Sequence, residues 1–243
     1  MIALLAAIPE ETVLIRQGME DAAREPVSGM VMLSGRIHGQ DVCLTHGGIG
    51  KAAAAAATIT LLHHCQPETL LLFGCGGAYP GSGLEIGDLA LADTELFGDE
   101  GVATPNGFDD LATMRLPMRQ GDKSFFNSWP TDGPLQKRSR PILLDLAGKL
   151  GIKLRTGHFV TVSTCTGTMA KAIEIERRTG GICENMEGAA VALACRQLST
   201  PLLEIRGISN LVEDRDPSRW NLATGMTVAQ QAVIGLLEKW PGQ

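Results

Sequence analysis

Three places in the chain put side chains capable of chemistry where an apolar segment ends. "LLEIRGISNLVEDRDPSRW" (202–220) begins as a buried strand, then offers Ser209, Asn210, Glu213, Asp214, Arg215 and Asp216 in quick succession. Polar groups gathered at the C-terminal end of a strand line pockets in open α/β sheets. The first amide in that row, Asn210, can donate and accept at once, whereas a carboxylate only accepts. An Asn after a strand also suits a turn or a helix cap. "ENMEGAAVALAC" (184–195) sets Glu184 and Glu187 beside a helix of almost pure Ala, Val, Leu and Cys. A carboxylate there either complements the positive end of the helix dipole or accepts from two neighbouring hydroxyls, spaced as in a ribose cis-diol. Glu11, two residues past Pro9 in the first turn of its helix, carries the same ambiguity.

Two glycine-rich segments invite nucleotide-binding readings and fail on spacing. In "THGGIGKA" the first P-loop glycine is replaced by Thr45, and Ala52 follows the lysine where a magnesium-holding hydroxyl is required. "FGCGGAYPGSG" would need glycine where Tyr79 stands to be a dinucleotide fingerprint. What remains at Gly76 and Gly77 is a backbone that something can approach closely, either a neighbouring strand or a ligand.

The elements that must position these residues alternate between strand and helix. "IALLAAI" (2–8) is a buried strand, and Pro9 suits the first turn of a helix expected to run to about residue 23. "MVMLSGRIHGQDVCLTH" reads as a hairpin broken at "HGQD", and the alanines of 50–65 demand a close-packed helix. A buried strand running into glycines, a strand at 87–98, and a turn-rich excursion over 99–138 follow. After these come a helix in "RPILLDLAGKLGI", a strand in "RTGHFVTVSTCTG", and a helix over about 168–178. "GGICENM" is a short strand, "EGAAVALACRQL" a helix, "PLLEIRGIS" the last strand, and 226–239 a closing helix. Strands split by helices of this length predict an α/β fold in three layers, α/β/α, around a twisted mixed sheet. With no repeat or linker, residues 1–243 are expected to form one domain.

Composition narrows the classes. Hydrophobic residues make up 44% and charged residues 20%, as in an ordinary soluble globular protein. The net charge of −6, without a long basic run, argues against nucleic acid as a partner. No apolar run approaches the roughly 20 residues that span a bilayer, so no membrane role is expected. "MIALLAAIPEE" reads as a first strand rather than a signal peptide. The six cysteines show no CxxC pair, which fits a reducing cytoplasm and free thiols and suggests no metal site.

Taken in order, "IPEE", "GGIGKAAAAAATITLLHHCQPETLLLFGCGGA", "NMEGAAVALAC" and "EIRGISN" resemble the nucleoside phosphorylase/nucleosidase superfamily over nearly the whole chain. The methylthioadenosine/S-adenosylhomocysteine nucleosidases show comparable segments. Within the group, "FGDEGVATPNGF", "MEGAAVA" and "IRGISNLVEDRDPSRWNL" look most like the futalosine hydrolases of the alternative menaquinone pathway. The resemblance implies a cofactor-free site, a small-molecule nucleoside substrate and a homodimer or higher homo-oligomer. It implies that water replaces the base of an inosine-like nucleoside bearing a 5′ carboxyphenyl-oxopropyl group.

By the same resemblance, Glu11 activates water, Glu187 holds the ribose hydroxyls and favours a cationic sugar, and Met186 packs on the ring. Gly76, Gly77 and Asn185 belong to the binding wall, and Thr164 and Thr166 lie in a base-contacting segment. Asn210 takes the place of an aspartic acid in the adenosine-type nucleosidases. Its NH₂ would donate to a 6-oxo group while its oxygen receives the N7 proton. Ser209 supports that amide, and Arg206 pairs with a carboxylate. "EDRDPSRW" either faces solvent or meets the distal carboxylate through Arg215 or Arg219, with Trp220 or Tyr79 against the ring. The segment "AAIPEETVLIR" sets glutamates where phosphate would be repelled, so a hydrolase is expected over a phosphorylase. A 6-oxopurine nucleoside phosphorylase, an amino-purine thionucleosidase and a non-catalytic nucleoside-binding protein stay open as alternatives.

Overall fold

The computed structural model describes residues 1–120 and 123–240. In chain order the strands are β1 (Ile2–Ala6), β2 (Glu20–Val27), β3 (Met30–Ile37), β4 (Gln40–His46), β5 (Thr69–Ala78), β6 (Leu89–Phe97), β7 (Gly101–Thr104), β8 (Gly107–Asp110), β9 (Ser128–Pro130), β10 (Leu154–Thr161), β11 (Gly181–Asn185) and β12 (Leu202–Leu211). The helices are α1 (Val13–Gln17), α2 (Lys51–Cys65), α3 (Gly133–Leu150), α4 (Met169–Thr179), α5 (Gly188–Gln197) and α6 (Leu222–Glu238).

The main sheet has the order β11-β10-β6-β12-β5-β1-β4-β3-β2, with β9 added on β6. It is mixed: β1, β4, β5 and β12 run parallel, while β12 meets β6 antiparallel. An antiparallel pairing of Cys183–Glu184 with Gly77–Ala78 joins β11 back to β5, so β5, β12, β6, β10 and β11 close into a ring. Closure needs close contacts between β5 and β11, which Gly76, Gly77 and Ala78 of β5 permit.

Alternation along the strands sorts side chains into two cores. Leu71, Phe73, Leu203 and Ile205 face α3 and α6, whereas Leu70, Leu72 and Leu202 face the alanines of α2 and α5. The result is the three-layer arrangement expected from the sequence. Glu204 and Arg206 share the second face, so two charged groups enter a core otherwise apolar and rich in Ala and Leu.

Three boundaries differ from expectation. The first helix ends at Gly18 instead of about residue 23, and Glu20–Val27 forms a strand against β3. That strand is exposed along nearly its whole length and carries Pro26, which only an edge position tolerates. The excursion over 99–138 contains the β7–β8 hairpin and β9, and α3 starts inside it because Asp132 accepts from Leu135 N at 2.7 Å. The closing helix starts at Leu222, capped by Asn221 on Thr224 N. A fourth correction concerns thiols. Cys43 of β4 and Cys65 at the end of α2 are joined as a disulfide, because α2 runs back over the sheet and lands its last turn on β4. Cys75, Cys165, Cys183 and Cys195 are free.

Candidate active site

A cavity of about 210 Å³ opens where the C-terminal ends of β1, β5 and β12 meet the β11–α5 junction. Glu11 reaches it from the 3₁₀ turn Pro9–Thr12 that follows β1. Its carboxylate accepts from Ala7 N at 3.0 Å, Ile8 N at 3.4 Å and, across the sheet, Cys75 N at 2.9 Å. Those three donors fix a buried carboxylate in one orientation. A Cβ on Gly74 would collide with that carboxylate, so this glycine makes room for Glu11. The neighbouring Cys75 thiol is pushed up to about 12 by burial and then by the Glu11 charge, which leaves it protonated and no nucleophile.

Asn210 owes its direction to a β-bulge. β12 pairs Ile208 with Gly76 and then Asn210 with Gly77, so Ser209 is the extra residue. One inserted residue turns every later side chain to the other face. Asn210 Nδ2 donates to the Leu211 carbonyl at 3.1 Å, and Oδ1 accepts from the Ser209 hydroxyl at 2.8 Å. Because a carbonyl can only accept, the first bond settles which end of the amide is NH₂. Each polar atom keeps one capacity unspent: one N–H and one lone pair. Gly77 makes the amide's position possible, since a Cβ there would sit 3.0 Å from Nδ2 and 2.8 Å from Val212 Cγ2. Gly76 is equally constrained, a Cβ meeting Cys183 Sγ at 2.5 Å. The close approach read from these glycines is thus made by neighbouring protein groups, at the rim of the cavity they line.

On the opposite wall stands Glu187, the residue before α5. Its Oε1 accepts from Gly50 N at 3.0 Å, and Oε2 lies 3.4 Å from Arg206 Nη1. The GIGK segment therefore serves Glu187 with a backbone amide, while Lys51 pairs with Asp99 and Glu100. Arg206 is buried and donates from Nε to Glu204 at 2.9 Å and from Nη1 to Cys75 O at 3.2 Å. Burial works against its charge, but Glu204, Glu187 and Glu11 offset that and hold the guanidinium above its ordinary pKa. Asn185 lines the cavity with its chain, yet its side chain is spent inside. Nδ2 donates to Glu95, and Oδ1 accepts from Glu187 N and Gly188 N, capping α5. Met186 lines the cavity between these two.

Glu184 also belongs to this site, although the sequence assigns it no role. It lines the cavity, accepting from Thr166 N at 3.0 Å, Thr166 Oγ1 at 2.5 Å and the Tyr79 hydroxyl at 2.8 Å. The signal was available: an apolar strand, "GGICENM", carries a carboxylate that must find partners when buried. Two expectations need correction. Tyr79 is fully buried beneath Glu184 and cannot stack on a ligand; burial and the Glu184 charge both raise its pKa. Thr164 lines only the adjoining cavity with Asp99 and Lys171, while Thr166 lies between the two and lines both. Of the acidic loop, Arg215 and Trp220 line the cavity with the guanidinium 4.4 Å over the indole, a cation–π contact. Arg219 is instead paired with Glu213 at 2.8 Å. Among the described residues no group of three or more His, Cys, Asp or Glu is arranged to hold a metal.

The wall thus offers two fixed carboxylates, Glu11 and Glu187, facing a space bordered by an oriented amide. Comparison with known proteins identifies the family to which the fold belongs. Residues 1–239 match the model of the phosphorylase superfamily. The futalosine hydrolase of Thermus thermophilus is 36% identical over 80% of each chain. The 5′-methylthioadenosine/S-adenosylhomocysteine nucleosidase of Colwellia psychrerythraea is 27% identical, covering 99% of this chain and 96% of its own. The crystal structure of a Colwellia nucleosidase in complex with adenine superposes with a TM-score of 0.83 at 25% identity, covering 97% of this chain and 93% of that one. Sequence and architecture agree over almost the full length, and the chain belongs to the phosphorylase superfamily, in the nucleosidase group that includes futalosine hydrolase.

Proposed function

We propose that this protein is an N-glycosyl hydrolase that cleaves futalosine to hypoxanthine and dehypoxanthine futalosine, a step of menaquinone synthesis by the futalosine route. The observation that carries this reading is the Asn210 amide, whose orientation is set by the Leu211 carbonyl. Its free N–H suits the 6-oxo group of hypoxanthine, and its free lone pair suits a proton on N7. A 6-amino purine would set donor against donor. Buried mismatches of that kind discriminate by factors of roughly 10⁴.

The reaction divides the remaining work between the two carboxylates. As the bond from C1′ to N9 breaks, its electron pair passes into the purine, which takes a proton at N7 from solvent beside Asn210. The sugar becomes oxocarbenium-like, and Glu187 accepts from its hydroxyls while its charge opposes the developing cation. Glu11 removes a proton from water as the oxygen joins C1′. Arg206 lines this wall and places its positive charge beside Glu187. Phosphate is disfavoured as nucleophile because Glu11, Glu184 and Glu187 line the cavity and Arg206 is already shared between carboxylates. Arg215 over Trp220 provides a cation and an aromatic face for the anionic aryl end of the 5′ substituent.

Steady-state kinetics on futalosine, its 6-amino analogue, inosine and methylthioadenosine test the assignment. Futalosine should have the highest kcat/KM, with hypoxanthine as product. Faster cleavage of methylthioadenosine would overturn it.

A further inference from the structure

Behind the ribose-side wall lies a second pair of acids that the cleavage itself does not use. Glu95 of β6 and Glu204 of β12 are both 0% exposed. They come from strands that pair with each other, and they face one another in the space left by Gly188, where a Cβ would collide with both. Glu95 accepts from Asn185 Nδ2 at 2.8 Å and from Thr161 Oγ1 at 2.6 Å. Glu204 gives Oε1 to Arg206 Nε, but its Oε2 is buried without a partner. An orphaned carboxylate oxygen beside a second carboxyl is satisfied by a single proton on that neighbour.

We propose that Glu95 carries this proton and donates it to Glu204 Oε2, and that the pair acts as a positioning device for Glu187. One arm runs from Glu204 to Arg206: with Nε held at 2.9 Å, Arg206 reaches Glu187 only at 3.4 Å through Nη1. Glu187 is thereby located without its charge being consumed in a tight bidentate pair. The other arm runs from Glu95 to Asn185, whose Oδ1 takes the amides of Glu187 and Gly188. With that proton in place both Glu204 oxygens have a partner, and Arg206 Nη2 is the one buried polar atom of the network left without one. Thr161 donates to Glu95 and accepts from Ala189 N, and the Glu95 hydroxyl donates to Glu204. Burial and the Glu204 charge raise the Glu95 pKa well above the carboxylate range; burial also raises that of Glu204, which Arg206 offsets in part. The groups facing the pair are Arg206 on β12, Cys183 on β11, Cys195 on α5, and Glu187 before it. Only Arg206 is cationic, so a second negative charge at Glu95 would have no counter-ion.

The ribose role of Glu187 rests on the function proposed above, whereas the shared proton does not, and the experiment separates them. Infrared spectra of the wild-type protein at neutral pH should contain a protonated-carboxyl band that Glu95→Gln removes. An amide reproduces the neutral donor but gives up one of the two acceptors that Asn185 and Thr161 use, so Glu95→Gln should keep kcat within about tenfold, the worth of one neutral hydrogen bond. Glu204→Gln should free Arg206 to bind Glu187 and cut the preference for futalosine over its 2′-deoxy analogue by about tenfold, the size of one hydrogen bond to a charged group. Absence of the band in the wild type would overturn the proton assignment even if no variant folded. An equal loss on both substrates in Glu204→Gln would overturn the positioning role.

Discussion

At residue 210 the choice between amide and acid is a choice between two edges of a purine. The Asn210 side chain spends one hydrogen bond at each end on the protein, to Ser209 and Leu211, and has one left at each end for the base. Asn210→Asp replaces the donor with an acceptor. We expect kcat/KM for futalosine to fall relative to its 6-amino analogue by roughly a hundredfold or more, measured by initial rates on both. A uniform loss on both substrates would instead indicate a structural role. Glu11→Gln preserves shape and two of three backbone contacts but removes the base. Turnover should fall by about 10²–10⁴-fold, with futalosine affinity by calorimetry little changed. These residues were legible because each interrupts an apolar run. The role of Glu184 was not legible because its partners, Thr166 and Tyr79, lie far from it in sequence, and Thr164 and Thr166 could not be told apart without knowing how the loop turns.

Most elements were legible from periodicity, since the buried strands and the alanine helices have few other solutions. The misplaced ends have physical causes. The first helix was overrun because Glu20–Val27 has no apolar face and borrows its stability from the neighbouring strand. The bulge at Ser209 left no trace in the sequence, although it decides which way Asn210 points. Glycines in β5 were legible as places of close approach, but not what approaches. Gly74→Ala puts a methyl against the Glu11 carboxylate. It should cost about 1–3 kcal/mol in urea unfolding and abolish turnover with Glu11 itself unchanged. Full activity in that variant would mean that Glu11 has another position available.

The molecule as a whole closes a ring of five strands around a cluster of buried charge, and that has a consequence for its pH dependence. Glu95 and Glu204 are both raised above the ordinary value of 4.5, so above that pH the native state holds more protons than the unfolded chain. Their contribution is complete at acid pH and is lost as pH rises toward their folded values. The urea midpoint should therefore decline as pH rises above the ordinary carboxylate range, and Glu95→Gln should flatten that decline. The acid pair was invisible in the sequence, because residues 95 and 204 meet only through the antiparallel pairing of β6 with β12. Cleavage by water is the claim on which the functional account stands, and labelled solvent tests it without any variant. Futalosine turned over in water enriched in the heavy oxygen isotope, with and without phosphate, should yield a sugar product labelled at C1′ at the same rate in both buffers. An unlabelled sugar phosphate, formed only when phosphate is present, would contradict it.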